Sequence, residues 1–150
     1  MLFISPNLES LLVHLNKLSE NTLPDWGNMS AQRMVEHLSE SLNMSMGMGE
    51  HKLLISEDKL PSMKAFLFSD KPMAKNIQVY FAPEKFSLRN ESLELAIDEF
   101  CEIWIDFENY YENNKDRTAL HPYYGNLNYE EWLRLHSKHF THHFHQFNLL

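Results

Sequence analysis

The sequence predicts an all-α fold, a four-helix bundle with a long connection between helices two and three. Three observations carry this expectation. Four stretches repeat apolar residues at i, i+3, i+4 and i+7, the spacing that gathers side chains on one face of an α-helix. The segment from Gly49 to Leu88 loses that rhythm and is broken at Pro61, Pro72 and Pro83, so it reads as a connection. Hydrophobic residues make up 43% of the chain and aromatic residues 13%, enough to line a globular core.

The first helix opens at Pro6 and Asn7 and carries Leu8, Leu11, Leu12, Leu15 and Leu18 on one face. It is expected to end between Glu20 and Thr22, before Pro24. His14 lies beside the stripe and is assigned no role. The loop from Leu23 to Met29 leads to Ser30, a good N-cap, and helix two is expected from Ala31 to Met48. Met34, His37, Ser41, Met44 and Met48 form a stripe widened by Val35, Leu38 and Leu42, which turns His37 toward the interior. Gly47 and Gly49 end this helix. The connection holds a candidate short helix from Pro61 to Phe68 and a candidate extended piece from Ile77 to Phe81.

Helix three is expected from Ser92 to Asn113, with Leu93, Ile97, Phe100, Trp104 and Tyr111 as its buried stripe. Asp98, Glu102 and Asp106 fall mostly off that stripe and read as solvated. The segment Leu120 to Leu127 reads as a rigid, aromatic, turn-rich loop. Asn128 and Glu131 have the spacing of a capping box, and helix four follows with Trp132, Leu135, His139, His143 and Gln146 along one side.

At 150 residues the chain is read as one domain, 1–150. A net charge of -8 argues against non-specific binding to nucleic acid or to an anionic membrane. Its four glycines form no phosphate-cradling loop. The single cysteine, Cys101, cannot make an intrachain disulfide, which favours a reducing compartment. The start, Met1-Leu2-Phe3-Ile4-Ser5-Pro6, lacks the basic and apolar regions of a secretory signal. No apolar run is long enough to cross a bilayer. A soluble cytoplasmic protein is expected, with a homodimer as a candidate assembly.

Histidines crowd the C-terminal end at 136, 139, 142, 143 and 145. They are interleaved with Phe, Thr and Gln at helical period, unlike an expression tag. His136, His142 and His145, taken singly, read as structural or solvated. His139 and His143 stand at i, i+4, one turn apart on one helical face, where two imidazoles can share a divalent ion. They also share the face of Trp132 and Leu135, where unpartnered imidazoles are costly. With His37 from helix two they would leave a coordination position open, the pattern of a catalytic rather than a structural site.

The segment from Trp26 to His37, with its Met34-x-x-His37 spacing, resembles the opening of helix two in the DinB/YfiT-like superfamily. The segment from His139 to Gln146 is similar to that family's C-terminal His-x-x-x-His segment. His121-Pro122-Tyr123-Tyr124-Gly125, followed by Glu131-Trp132, looks like one branch of it. The resemblance spans nearly the whole chain in helix order. It implies a four-helix bundle with a three-His site, His37, His139 and His143, for a divalent ion such as zinc or nickel. Some members are S-transferases using a low-molecular-weight thiol; others are isomerases or hydrolases. This chain has Phe144 and His145 where the enzymes usually place Arg-Gly before the Gln, so a substrate contact by that Arg does not carry over.

The expected function is therefore a metal-dependent enzyme acting on a small molecule, by thiol S-transfer or hydrolysis. An ion at such a site lowers the pKa of a water or thiol in its open position. His121, His142 and Gln146 are candidates for orienting the ligands or moving protons. Cys101 reads as packing within helix three. The alternative is a non-catalytic metal- or ligand-binding bundle, and a third reading is a buried histidine cluster held by hydrogen bonds alone.

Overall fold

The computed structural model describes residues 2–79 and 81–150, and it is mostly helical with one small sheet. Helix α1, Leu8–Leu15, starts where Asn7 Oδ1 accepts the Ser10 amide at 2.9 Å. It stops before Glu20. The amides of Lys17 and Leu18 bond to the carbonyls three residues back, and Thr22 Oγ1 captures the Ser19 amide. A hydroxyl that bonds the backbone locally competes with the helical ladder, although Leu18 still packs on the core.

Helix α2, Ala31–Ser45, is capped by Ser30 Oγ on the Arg33 amide at 3.1 Å. It ends three residues before Met48. Gly47 adopts φ 78°, and the amides of Gly47 and Met48 return to the carbonyls of Met44 and Asn43. This is a Schellman stop, in which a left-handed residue satisfies the last carbonyls.

The connection contains a 3-10 turn, Glu57–Lys59, running into helix α3, Leu60–Leu67, with Pro61 in its first turn. The extended piece expected from Ile77 to Phe81 forms no strand among the described residues, and Tyr80 lies outside them. Ile77 is largely exposed, without the buried face that would hold such a strand.

Helix α4, Leu93–Glu112, is capped by Ser92. Ala96 and Phe107 join Leu93, Phe100, Trp104 and Tyr111 on its buried face, while Ile97 sits at the edge. The segment read as a loop holds an antiparallel hairpin: β1, Ala119–His121, pairs with β2, Gly125–Leu127, in the register His121 to Gly125. Strands of three residues are too short for alternation to be visible in the sequence. The helical expectation holds in its coarser form, and this hairpin is the part it did not include.

Helix α5, Tyr129–Gln146, has a complete capping box between Asn128 and Glu131. The core lies where α2, α4 and α5 meet. Phe140 of α5 packs against Phe100 and Trp104 of α4, at centroid distances of 5.7 and 6.2 Å. Helix α2 also packs on α5, and each presents histidine to the other. Among the described residues no helix is long and apolar enough to cross a membrane.

Candidate metal centre

The helical repeat of α5 places His139 and His143 one turn apart, and α2 brings His37 against both. His37 Nε2 lies 2.8 Å from His139 Nε2, and His143 Nε2 lies 3.1 Å from the same atom. One ligand atom from each of the three imidazoles falls within 4.8 Å of the others. Four ligands at zinc distances in a tetrahedron stand about 3.3 Å apart, so the 2.8 and 3.1 Å contacts are shorter than that spacing and the rings would open slightly to admit an ion. The rings meet edge to face, with centroids 4.7 to 4.9 Å apart.

Burial sets the charge of the triad. It pushes the His37 pKa down to about 3, and Arg33 and His142 add to the shift. His139 and His143 are likewise held well below the ordinary imidazole value, first by burial and then by neighbouring histidines. The triad is three neutral imidazoles, the form that offers nitrogen lone pairs to a cation.

Gln146 fixes which nitrogen of His143 faces the others. Its Nε2 donates to the Trp26 carbonyl at 2.9 Å, which turns Oε1 toward His143 Nδ1 at 2.7 Å. Nδ1 must then carry the proton, leaving the Nε2 lone pair on the triad side. The Asp25 amide also donates to the Gln146 carbonyl at 2.8 Å, so the loop before α2 is tied to the last turn of α5.

Glu36, beside His37, anchors α2 from its other side. Its carboxylate is fully buried and accepts from the amides of Arg89 and Asn90, from Asn90 Nδ2 and from Gln32 Nε2, at 2.8 to 3.1 Å. Burial raises its pKa, but these hydrogen bonds outweigh burial and hold it below the usual carboxylate value. Arg33 pairs with Glu40, and Arg89 with Glu40 and Glu99, closing the same surface. The sequence reading missed Glu36. Its one signal was a carboxylate set among Met34, Val35 and Leu38.

The other candidates separate. Gln146 and His142 adjoin the triad; the His142 ring is 5.0 Å from that of His143 and 5.6 Å from Trp26. His121 sits in an aromatic cluster with Phe81, Tyr123, Tyr124 and Trp132, and its Nδ1 accepts the Tyr123 amide at 3.0 Å. His145 is exposed. His136 is not solvated: it is fully buried, stacked between Trp132 and Phe140, with no hydrogen-bond partner on either ring nitrogen among the described residues. Burial, then Asp98, raises the Cys101 pKa and keeps it a thiol.

A family model described as Protein of unknown function (DUF1569) matches residues 3–149. No curated protein and no solved structure matches the chain.

Proposed function

We propose that the chain, which belongs to the DUF1569 family, is a divalent-metal-dependent enzyme acting on a small molecule. The convergence of three neutral imidazoles on one point carries this reading. In it, α1, α2, α4 and α5 form a four-helix bundle of the DinB/YfiT-like kind. His37, His139 and His143 hold zinc or nickel through Nε2. The ion supplies Lewis acidity at a position open to water, to a low-molecular-weight thiol or to substrate.

The chain's own residues do the rest. Gln146, oriented by the Trp26 carbonyl, holds His143 in the tautomer whose Nε2 can ligate. Glu36 fixes the turn of α2 that carries His37. His142, beside His143 and toward the surface, is the group placed to take or return a proton. Thiol S-transfer and hydrolysis both use these roles, in a cytoplasmic protein with a small-molecule substrate.

The test is cobalt-substituted protein. Its visible spectrum should change on adding azide or a small thiol, because a ligand-accessible position is what separates an enzyme from a closed binding site. An unchanged spectrum would assign the chain to the non-catalytic binding bundles. One contact favours a different reading: His37 and His139 stand at hydrogen-bond distance, as two imidazoles sharing a proton without metal would. Cobalt that fails to bind at all would point there.

A further inference from the structure

We infer that a cleft beside the triad binds a small organic carboxylate with a planar or apolar body, and that this is the substrate class of the metal site. The second half rests on the metal reading above; the cleft itself does not. The cleft has a volume of about 380 Å³ and is walled by Lys138 and His142 of α5, Trp26 of the loop before α2, and Pro72, Met73 and Lys75 of the connection. That volume suits a small molecule.

Its charge is the reverse of the chain's. In a protein of net charge -8, Lys75 and Lys138 both line this recess, and neither is in an ion pair among the described residues. Lys138 is fully buried, with its ammonium over the rings of Phe3 and Phe66 at 4.6 and 4.2 Å. It donates to the Lys71 carbonyl and to Ser69 Oγ, and Asp70 acts on it only as a nearby charge. Asp25, the carboxylate of the lining, is engaged by Asn148 Nδ2 at 2.7 Å. Two lysines against the Asp25 carboxylate leave a net positive recess, and its low-dielectric walls focus that potential into the space they face.

The walls describe the rest of the ligand. Trp26 is half-buried, unlike the core residues Trp104 and Trp132, and Lys75 Nζ lies 4.2 Å from its ring centroid. The Lys75 ammonium held against the Trp26 ring marks where the ligand's anionic group would sit, and the indole, Pro72 and Met73 are the apolar flanks for its body. Among the described residues the lining has no arginine fork, and Lys138 has already committed donors, so a carboxylate suits it better than a phosphate. The cleft also adjoins the chemistry: Trp26 holds Gln146 through its carbonyl, and His142 lies against His143.

The experiment is titration of metal-free protein with 4-fluorobenzoate, following the indole N–H signal of Trp26 by NMR, assigned with Trp26→Phe. Saturable movement is expected with 4-fluorobenzoate and none with the neutral 4-fluorobenzamide. Lys75→Glu, at an exposed position, should weaken binding by about tenfold or more, and Lys75→Arg should retain it. No response, or an equal response to the amide, would overturn the cleft. So would displacement of the probe by an equal concentration of inorganic phosphate. Metal binding is measured separately by calorimetry. A protein that takes no metal yet gives the charge-dependent shift keeps the cleft and loses only the metal reading.

Discussion

His143 Nδ1 and Gln146 Oε1 are 2.7 Å apart, and this bond couples the last turn of α5 to the loop before α2, because the same amide donates to the Trp26 carbonyl. The two bonds together decide the His143 tautomer. In the proposed metal site Gln146 is then a positioning residue, and its effect is expected in metal affinity more than in folding.

Gln146→Met keeps most of the side-chain volume and removes both hydrogen bonds. Zinc affinity should fall roughly 10- to 100-fold by calorimetric titration, with the far-UV circular dichroism unchanged. Undiminished affinity would show that the tautomer is set elsewhere.

His143→Ala removes a proposed ligand but little of the core. Trp132, Leu135, Phe140 and Phe144 of α5 remain buried, each contributing roughly 2 kcal/mol. The variant should stay helical while metal binding weakens by orders of magnitude. Loss of the helical signal would make the histidine cluster a folding element.

Glu36→Ala should destabilise the protein by about 3 kcal/mol in urea unfolding, because four hydrogen-bond donors lose a buried carboxylate. The pH dependence has a definite sign. The folded pKa lies below the ordinary 4.5, so Glu36 contributes stability above that value and loses it as pH falls through the lowered one. The wild-type advantage over Glu36→Gln should therefore shrink under acid. A constant difference would contradict the carboxylate's role.

His136→Phe should stabilise the protein by about 1 kcal/mol at pH 7, since it removes two buried, unpartnered nitrogens from an aromatic stack. Burial, with a smaller effect of His121, pushes this imidazole's pKa down from 6.5 to about 3. The unfolded chain binds a proton there first, so the variant's advantage should grow as pH drops below 6.5. A destabilised variant would reveal a partner for the ring nitrogens.

What was legible in the sequence is what short-range chemistry determines. Ser30, Ser92 and the Asn128–Glu131 pair mark helix starts because a cap reaches only three residues. The shared face of His139 and His143 follows from helical repeat, and the inward turn of His37 from its apolar neighbours. The early stop of α1 depends on Thr22 Oγ1 outbidding the ladder, and the hairpin on pairing across a tight return at Gly125, φ 80°. Neither leaves a periodic trace. Glu36 and Trp26 act through partners 53 and 120 residues away, Arg89 and Gln146, which no local pattern encodes. His136 was read as structural or solvated; its ring stacks on Trp132 and Phe140 of its own helix, and Phe107 of α4 closes on it edge to face, a contact from outside the helix that no local pattern encodes.

The central claim is that His37, His139 and His143 are a ligand set for one divalent ion. Elemental analysis of protein purified without a His tag or a nickel column, paired with zinc titration of the metal-free form, tests it most directly. The account predicts one ion per chain in the wild type, one tight site in the titration, and loss of both in His37→Ala with the fold intact. A wild-type protein that carries no ion and titrates none, while remaining folded, would contradict it and leave three imidazoles that only bond to one another.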